Sequence, residues 1–229
     1  MTMKNYLKDL LADIFFPAFC ISCNIPGEWW CVDCRSKVHK VNEKICSKCL
    51  KVGEHECEGV LPFACVQAFG FYHDPNLRSV ITNIKFKGAY ALEGVVKEFI
   101  KENRRLLQFR NVDCLVPLPL SEKRLKDRGF NQALIVAEVL KQVCCIDKPL
   151  RKNLLKRVLH SEPQSSLSND YKLRSCNILD SFYCDSEVPE RVLLVDDVVT
   201  TGATAGEAAR VLLKNGAKEV HLICLAIGA

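Results

Sequence analysis

The sequence predicts an α/β domain built on a mostly parallel sheet with helices on both faces, preceded by a small metal-binding module. Three observations carry that prediction. The stretch VLLVDDVVTTGAT at 192–204 runs from an apolar strand, through two acids and a hydroxyl-rich turn, into a helix pattern. Strand-like and helix-like segments alternate from Ala68 to Ala226, as parallel sheets require. Eight cysteines crowd into residues 20–65, mostly as C-x2-C pairs.

The 229 residues give room for one domain of ordinary size plus a small one. A hydrophobic content of 48% supports a sizeable core and argues against disorder. No apolar run reaches the roughly 18 residues of a membrane span, so no membrane insertion is expected. The first residues, MTMKNYLKDLLADIFFP, are broken by Lys8, Asp9 and Asp13 and lack the apolar core of a signal peptide. They read as a short amphipathic helix with Leu7, Leu10, Leu11 and Ile14 on one face, docked on the rest of the protein, with a membrane-surface role as the lesser alternative. A cytoplasmic protein is expected. The formal net charge of +5 falls outside residues 1–66, where eight Lys/Arg balance eight Asp/Glu. That excess suits phosphorylated ligands or nucleic acid.

The cysteine spacing comes next in the chain. Cys20-x2-Cys23 and Cys31-x2-Cys34 make a complete four-thiolate set for a tetrahedral structural zinc ion. Disulfides do not suit a reducing compartment. Cys46, Cys49 and Cys57 supply three ligands of a second site. Cys65 is the expected fourth and His55 its rival; a third reading is a site that binds zinc poorly. A zinc ion held by four thiolates carries net negative charge, which argues against this module gripping DNA by charge alone. So small a segment needs the metal to fold. A cysteine-rich zinc module is expected over 1–66 and the α/β domain over 67–229. Cys114, Cys144, Cys145, Cys176, Cys184 and Cys224 lack ligand spacing and read as buried thiols.

Ala68–Tyr72 reads as a strand. Asp74-Pro75 then reads as a helix start, with Asp74 as N-cap and Pro75 at the first helical position. Leu77, Val80, Ile81 and Ile84 form its buried face, and Lys85-Phe86-Lys87-Gly88 ends it. A second helix is expected near 91–103 and a strand at Val112–Pro117. The basic segment SEKRLKDRGFNQ follows at 121–132. It joins that strand to a helix beginning near Asn131, so it falls at the sheet edge that also carries Asp196 and Asp197. Arg124, Arg128, Asn131 and Gln132 are the candidates there for contact with pyrophosphate or nucleic acid, because a guanidinium fork pairs with phosphate oxygens. The bland alternative is a solvated, charged loop. Residues 154–177 are crowded with Pro, Ser, Asn and Asp and read as a long loop, the length of an active-site lid. His160 within it is most simply a solvated side chain.

The 192–204 stretch carries the chemistry. Ligands of open α/β sheets bind beyond the carboxyl ends of the strands, where Asp196 and Asp197 sit. A helix N-terminus attracts phosphate, Gly202 and Ala203 let the backbone approach, and Thr200, Thr201 and Thr204 offer hydroxyls. Two carboxylates would repel a phosphate unless they hold sugar hydroxyls, directly or through Mg²⁺. The expected ligand is a sugar phosphate with a vicinal diol. An ordinary strand ending in a helix capped by Thr204 explains that threonine but not the paired acids. Gly216 is the expected stop of the helix, and Val220–Ala226 the last strand.

These residues resemble the binding loop for 5-phosphoribosyl-1-pyrophosphate (PRPP) in type I phosphoribosyltransferases. Taken with the cysteine knuckles, KFKG at 85–88 and PLPLSEKRLKDRGFNQA at 117–133, the chain resembles the ComF family along nearly its whole length. The resemblance implies a zinc ribbon joined to a type I phosphoribosyltransferase-like domain, linked to DNA uptake in natural transformation. It implies PRPP or a similar sugar phosphate bound with Mg²⁺ at 196–204, and a flexible loop that includes Arg157, Gln164 and Arg174. Two activities fit it: a glycosyltransferase that uses PRPP, or a non-catalytic accessory of the competence machinery that binds single-stranded DNA on a retired enzyme fold. One departure stands out. The family's last knuckle is often C-x2-C, and here Cys57 is followed at that spacing by Val60.

Overall fold

A computed structural model gives the fold and describes residues 18–83, 89–107, 111–157 and 182–228. Its centre is a sheet of four parallel strands, β1 (Cys65–Phe71), β2 (Cys114–Pro117), β5 (Arg191–Val199) and β6 (Glu219–Ile227), in the order β1-β6-β5-β2. The strands β3 (Leu155–Arg157) and β4 (Phe182–Cys184) form a separate antiparallel pair. The two longest strands are the two inner ones. Val192–Val195 and Leu222–Ile227 are buried throughout, as strands covered on both faces must be.

Alternate side chains of each strand point to opposite faces. Phe69, Leu115, Leu193, Val195, Ile223 and Leu225 pack with helices α2 (Pro75–Asn83), α3 (Ala89–Asn103) and α5 (Gln132–Val143). Val66, Val116, Val192, Leu194, Leu222 and Cys224 pack on the other face with helix α6 (Ala203–Lys214). The predicted parallel sheet with helices on both faces is therefore the fold. Among the described residues, no helix is long and apolar enough to cross a membrane.

The cysteine-rich segment straddles the outer edge of β1. The Val41 N–H donates to Phe69 O at 3.2 Å, and Lys40 bridges Gly70 in antiparallel fashion. This covers an edge that would otherwise expose unpaired backbone. Cys20, Trp30, Cys34 and Val38 then join the core of one face, and Val41, Ile45, Leu50 and Phe63 that of the other. Trp30 stacks near Phe99 with ring centroids 5.1 Å apart, and Arg35 of the short helix α1 (Val32–Ser36) pairs with Glu102 at 3.0 Å.

Several boundaries differ from expectation. β1 starts at Cys65 rather than Ala68, because Cys65–Gln67 pair with His221–Ile223. β5 continues through both acids to Val199, since its β6 side stays paired to Ile227. α6 begins at Ala203 with Gly202 in the cap position, so Thr204 lies in the first turn and is not the N-cap. Asp74 does cap α2: its Oδ1 accepts from the Asn76 and Leu77 N–H groups. Gly216, at φ +118°, follows the end of α6 as expected. The N-terminal amphipathic segment, residues 84–88 and the 158–177 stretch lie outside the described residues. Of the remaining cysteines, Cys114 and Cys224 are buried and Cys144 and Cys184 half-buried, while Cys145 is exposed.

Candidate functional site

The pairing of β5 creates the site. β2 accompanies β5 only as far as Val195. From Asp196 onward no described strand pairs with the β2 side of β5, and both acids lie beyond the end of that pairing. Each carboxylate accepts from the next backbone N–H: Asp196 Oδ1 from Asp197 at 2.8 Å, and Asp197 Oδ1 from Val198 at 2.9 Å. Burial raises the Asp196 carboxyl well above its ordinary range, and the charge of Asp197 raises it further. Arg124 works in the opposite direction. A cation or a hydroxyl donor between the acids would relieve the cost of ionising both.

A cavity of about 320 Å³ opens over these acids. Its floor is Asp196–Ala205, so all seven residues expected in the ribose-phosphate turn line it. Gly202 has φ +73°, a conformation that suits glycine, and the N-terminus of α6 follows at once. The first helical N–H groups there have no intrahelical partner, and Gly202 offers no side-chain cap. Thr201 Oγ1 accepts from Ala203 N–H at 3.4 Å.

The opposite wall is cationic. Arg124 and Arg128 reach it from helix α4 (Glu122–Arg128), and Arg157 from β3. Burial, and then the neighbouring Arg124, lower the Arg157 guanidinium from its ordinary value. Such a cluster is set up to receive an anion. α4 itself buries no residue: it stands out from the surface, capped by Ser121 Oγ and ended by Gly129 at φ +75°. Gln164 and Arg174, the other expected loop residues, lie outside the described residues.

Asn131 and Gln132 do something other than expected, since neither lines the cavity. Asn131 caps α5, its Oδ1 accepting from Ala133 N–H at 3.0 Å, while its Nδ2 donates to Leu118 O at 3.0 Å. Gln132 is buried, and its Oε1 accepts from Arg128 at 3.1 Å. Both hold the loop that delivers the arginines. A helix that starts at 132 makes Asn131 an N-cap in the sequence as well, which is the signal that favours this role.

Two cysteine-rich groups are assembled. Cys20, Cys23, Cys31 and Cys34 form one, and Cys46, Cys49, His55 and Cys57 the other, with the ligand atoms of each group within 4.8 Å of one another. Cys65, expected in the second group, begins β1 instead, and His55 takes its place. The turn around Gly53, at φ +82°, folds His55 back so that Nε2 lies 3.0 Å from Cys49 Sγ. Its Nδ1–H donates to Gly53 O at 3.0 Å, which turns Nε2 toward the thiols as the ring nitrogen that would take a metal. Val60 is exposed, so the departure from the C-x2-C pattern is made good from the other side of Cys57.

Both groups fit a zinc ion. A tetrahedral site with Zn–S of about 2.3 Å sets its sulfurs about 3.8 Å apart. Cys23 and Cys31 Sγ are 3.7 Å apart, and Cys46 and Cys57 Sγ 3.5 Å. Backbone N–H groups point at the sulfurs, from Cys31 to Cys20 at 3.5 Å and from Gly59 to Cys57 at 3.3 Å. The Lys48 N–H is the main influence that lowers Cys46 to about 6. Burial alone would raise Cys20, but the N–H groups of Cys31, Cys23 and Ser22 outweigh it and bring it down to about 6. The surroundings of Cys20 and Cys46 thus favour a thiolate, while burial and the neighbouring thiols push Cys34 up to about 12.

Comparison with known proteins places the chain. The model of the phosphoribosyl transferase domain matches residues 188–228, the segment that holds β5, the turn, α6 and β6. The chain is 31% identical over 204 residues to competence protein ComFC of Bacillus subtilis (strain 168), covering 83% of this chain and 80% of that one. It is 28% identical over 222 residues to competence protein F of Haemophilus influenzae, covering 86% and 96%. It is 29% identical over 226 residues to DNA utilization protein YhgH of Escherichia coli (strain K12), covering 91% and 96%.

Proposed function

The chain belongs to the ComF family of competence proteins, with a phosphoribosyltransferase-like domain, and on that premise we propose that its cavity binds PRPP or a closely related sugar phosphate together with Mg²⁺. One observation carries this reading. Paired acids, a glycine-opened helix N-terminus and three arginines, drawn from three separate parts of the chain, line one cavity. Each takes a different part of the ligand. Asp196 and Asp197 accept from the ribose hydroxyls. The N–H groups of Gly202 to Thr204 and the threonine hydroxyls receive the 5-phosphate. Arg124, Arg128 and Arg157 face the pyrophosphate. Asp196 and Asp197 would hold Mg²⁺, directly or through the ribose hydroxyls, and it would supply positive charge to offset the phosphates. In a transfer reaction the same acids would face the positive charge that develops on the ribose ring.

In this reading residues 1–66 form the structural zinc module and residues 67–229 the ligand-binding domain. The protein acts in the cytoplasm, in the competence or DNA utilization that its relatives' names state. A second reading has its own support: α4 buries none of its residues and carries Lys123, Arg124, Lys126 and Arg128, of which the two arginines line the cavity. That surface suits the backbone of single-stranded DNA, with the cavity taking one of its phosphates or a PRPP-like effector.

Two variants separate the readings. Asp196→Asn with Asp197→Asn is expected to abolish PRPP binding and leave DNA binding intact or stronger. Replacing Lys123 and Lys126, the α4 cations that do not line the cavity, with alanine is expected to weaken DNA binding and flatten its salt dependence while leaving PRPP binding intact. If the acidic double variant held PRPP at wild-type strength, the ribose assignment would be wrong.

A further inference from the structure

The cysteine-rich segment reaches the phosphate turn through two leucines. A Cβ placed on Gly202 would lie 2.7 Å from Leu50 Cδ1 and 2.8 Å from Leu61 Cδ1. A Cβ on Gly206, one helical turn on, would lie 2.8 Å from Leu61 Cδ2. Both glycines are buried, and they present one face of the start of α6 to these methyl groups. The absence of side chains at 202 and 206 thus serves packing as well as backbone conformation.

Both leucines hang from the same metal knuckle. Leu50 directly follows Cys49, and its N–H donates to Cys46 O at 2.9 Å. Its φ is +70°, a left-handed conformation that a leucine adopts at a cost. Leu61 N–H donates to Lys48 O at 3.0 Å, inside the Cys46–Cys49 turn. Between them, Cys57 Sγ accepts from Gly59 N–H, and Gly59 lies so close to Lys48 and Cys49 that a Cβ there would fall 2.2 Å from Lys48 O. The backbone of the Cys46–Cys49 knuckle thus carries both the turn of Leu50 and the strap of Leu61, and Cys57 Sγ is bonded into the strap through the Gly59 N–H. A strained leucine keeps its place only where its surroundings over-determine it.

We propose that the Cys46, Cys49, His55 and Cys57 centre is a positioning device for the phosphate turn. Metal held there locks Leu50 and Leu61, and these lock Gly202, Gly206 and the start of α6. Loss of the metal releases the leucines and loosens the turn. The centre formed by Cys20, Cys23, Cys31 and Cys34 has no such reach, because it packs on the opposite face against α2 and α3, with Ser79 Oγ donating to Ile21 O at 3.1 Å. The functional meaning of this coupling rests on the turn being a phosphate site, but the coupling itself does not.

The test uses full-length zinc-loaded protein. Metal content, hydrogen exchange in residues 199–207 and 75–83, and PRPP titration are measured on wild type, His55→Ala and Leu61→Ala. His55→Ala should lose one of two zinc ions and exchange tenfold faster at 199–207, with 75–83 unchanged. Leu61→Ala should keep both ions and show the same acceleration. PRPP affinity should fall at least tenfold in both. Two full zinc equivalents in His55→Ala, or exchange at 199–207 within twofold of wild type in either variant, would overturn the proposal. If His55→Ala does not fold, Leu61→Ala alone decides. Accelerated exchange in a protein whose wild type ignores PRPP would uphold the coupling and reject the PRPP reading.

Discussion

Asp74 accepts a hydrogen bond from the His39 backbone N–H at 2.9 Å through Oδ2, while its Oδ1 caps α2 by accepting from Asn76 and Leu77. One buried carboxylate thereby joins the cysteine-rich segment to the α/β domain. Asp74→Ala removes a cap and strands the His39 N–H, so it should cost about 2–3 kcal/mol in denaturant unfolding. Asp74→Asn keeps one acceptor oxygen for the cap but sets an NH2 against the His39 N–H, so it should recover only part of that loss. A loss as large as that of Asp74→Ala would show that the cap alone contributes nothing to the joint.

Asp196 links binding to stability. Burial, and then Asp197, raise its carboxyl in the folded protein, so the folded state holds this proton more tightly than the unfolded chain. Its contribution to stability falls as pH rises from the ordinary carboxylate range, near about 4, through the raised value. Asp196→Asn should therefore match wild type in acid and exceed it at pH 8, by roughly 2–4 °C in Tm for each kcal/mol relieved. The scan is run without Mg²⁺ or PRPP. A Tm below that of wild type at pH 8 would contradict the assignment.

Gly202→Ala should be severe. The left-handed φ costs an alanine about 1–2 kcal/mol, and crowding against Leu50 and Leu61 adds about as much again. In a Leu50→Ala background the penalty should shrink by about 1 kcal/mol, a coupling measurable in a double-mutant cycle. Additivity would mean that the contact between residues 50 and 202 carries no energy.

Arg157→Ala should leave folding stability within about 0.5 kcal/mol, because its desolvation beside Arg124 offsets what its packing over the Phe182 ring contributes. PRPP affinity should nevertheless fall tenfold or more. A large stability loss with unchanged affinity would make it a structural residue.

The sheet and the paired acids were legible because each is local. Apolar runs mark strands, and VDDVVTTGAT places acids, glycine and helix in one stretch. The extent of β5 was not legible, since polar Asp196 and Asp197 hide a strand that β6 continues to pair. β3 and β4 have three residues each, too few for periodicity to register. Cys65 was the expected ligand because thiols are easy to count. His55 replaced it through the turn at Gly53, which is a matter of backbone geometry. The contacts of Leu50 and Leu61 with Gly202 join residues about 150 apart, and no local pattern announces them.

The central claim meets its most direct test in calorimetric titration of zinc-loaded protein with PRPP, with and without Mg²⁺. Saturable binding that strengthens with Mg²⁺ and disappears in the Asp196→Asn, Asp197→Asn variant is the predicted result. No heat of binding at millimolar PRPP in the presence of Mg²⁺ would contradict it.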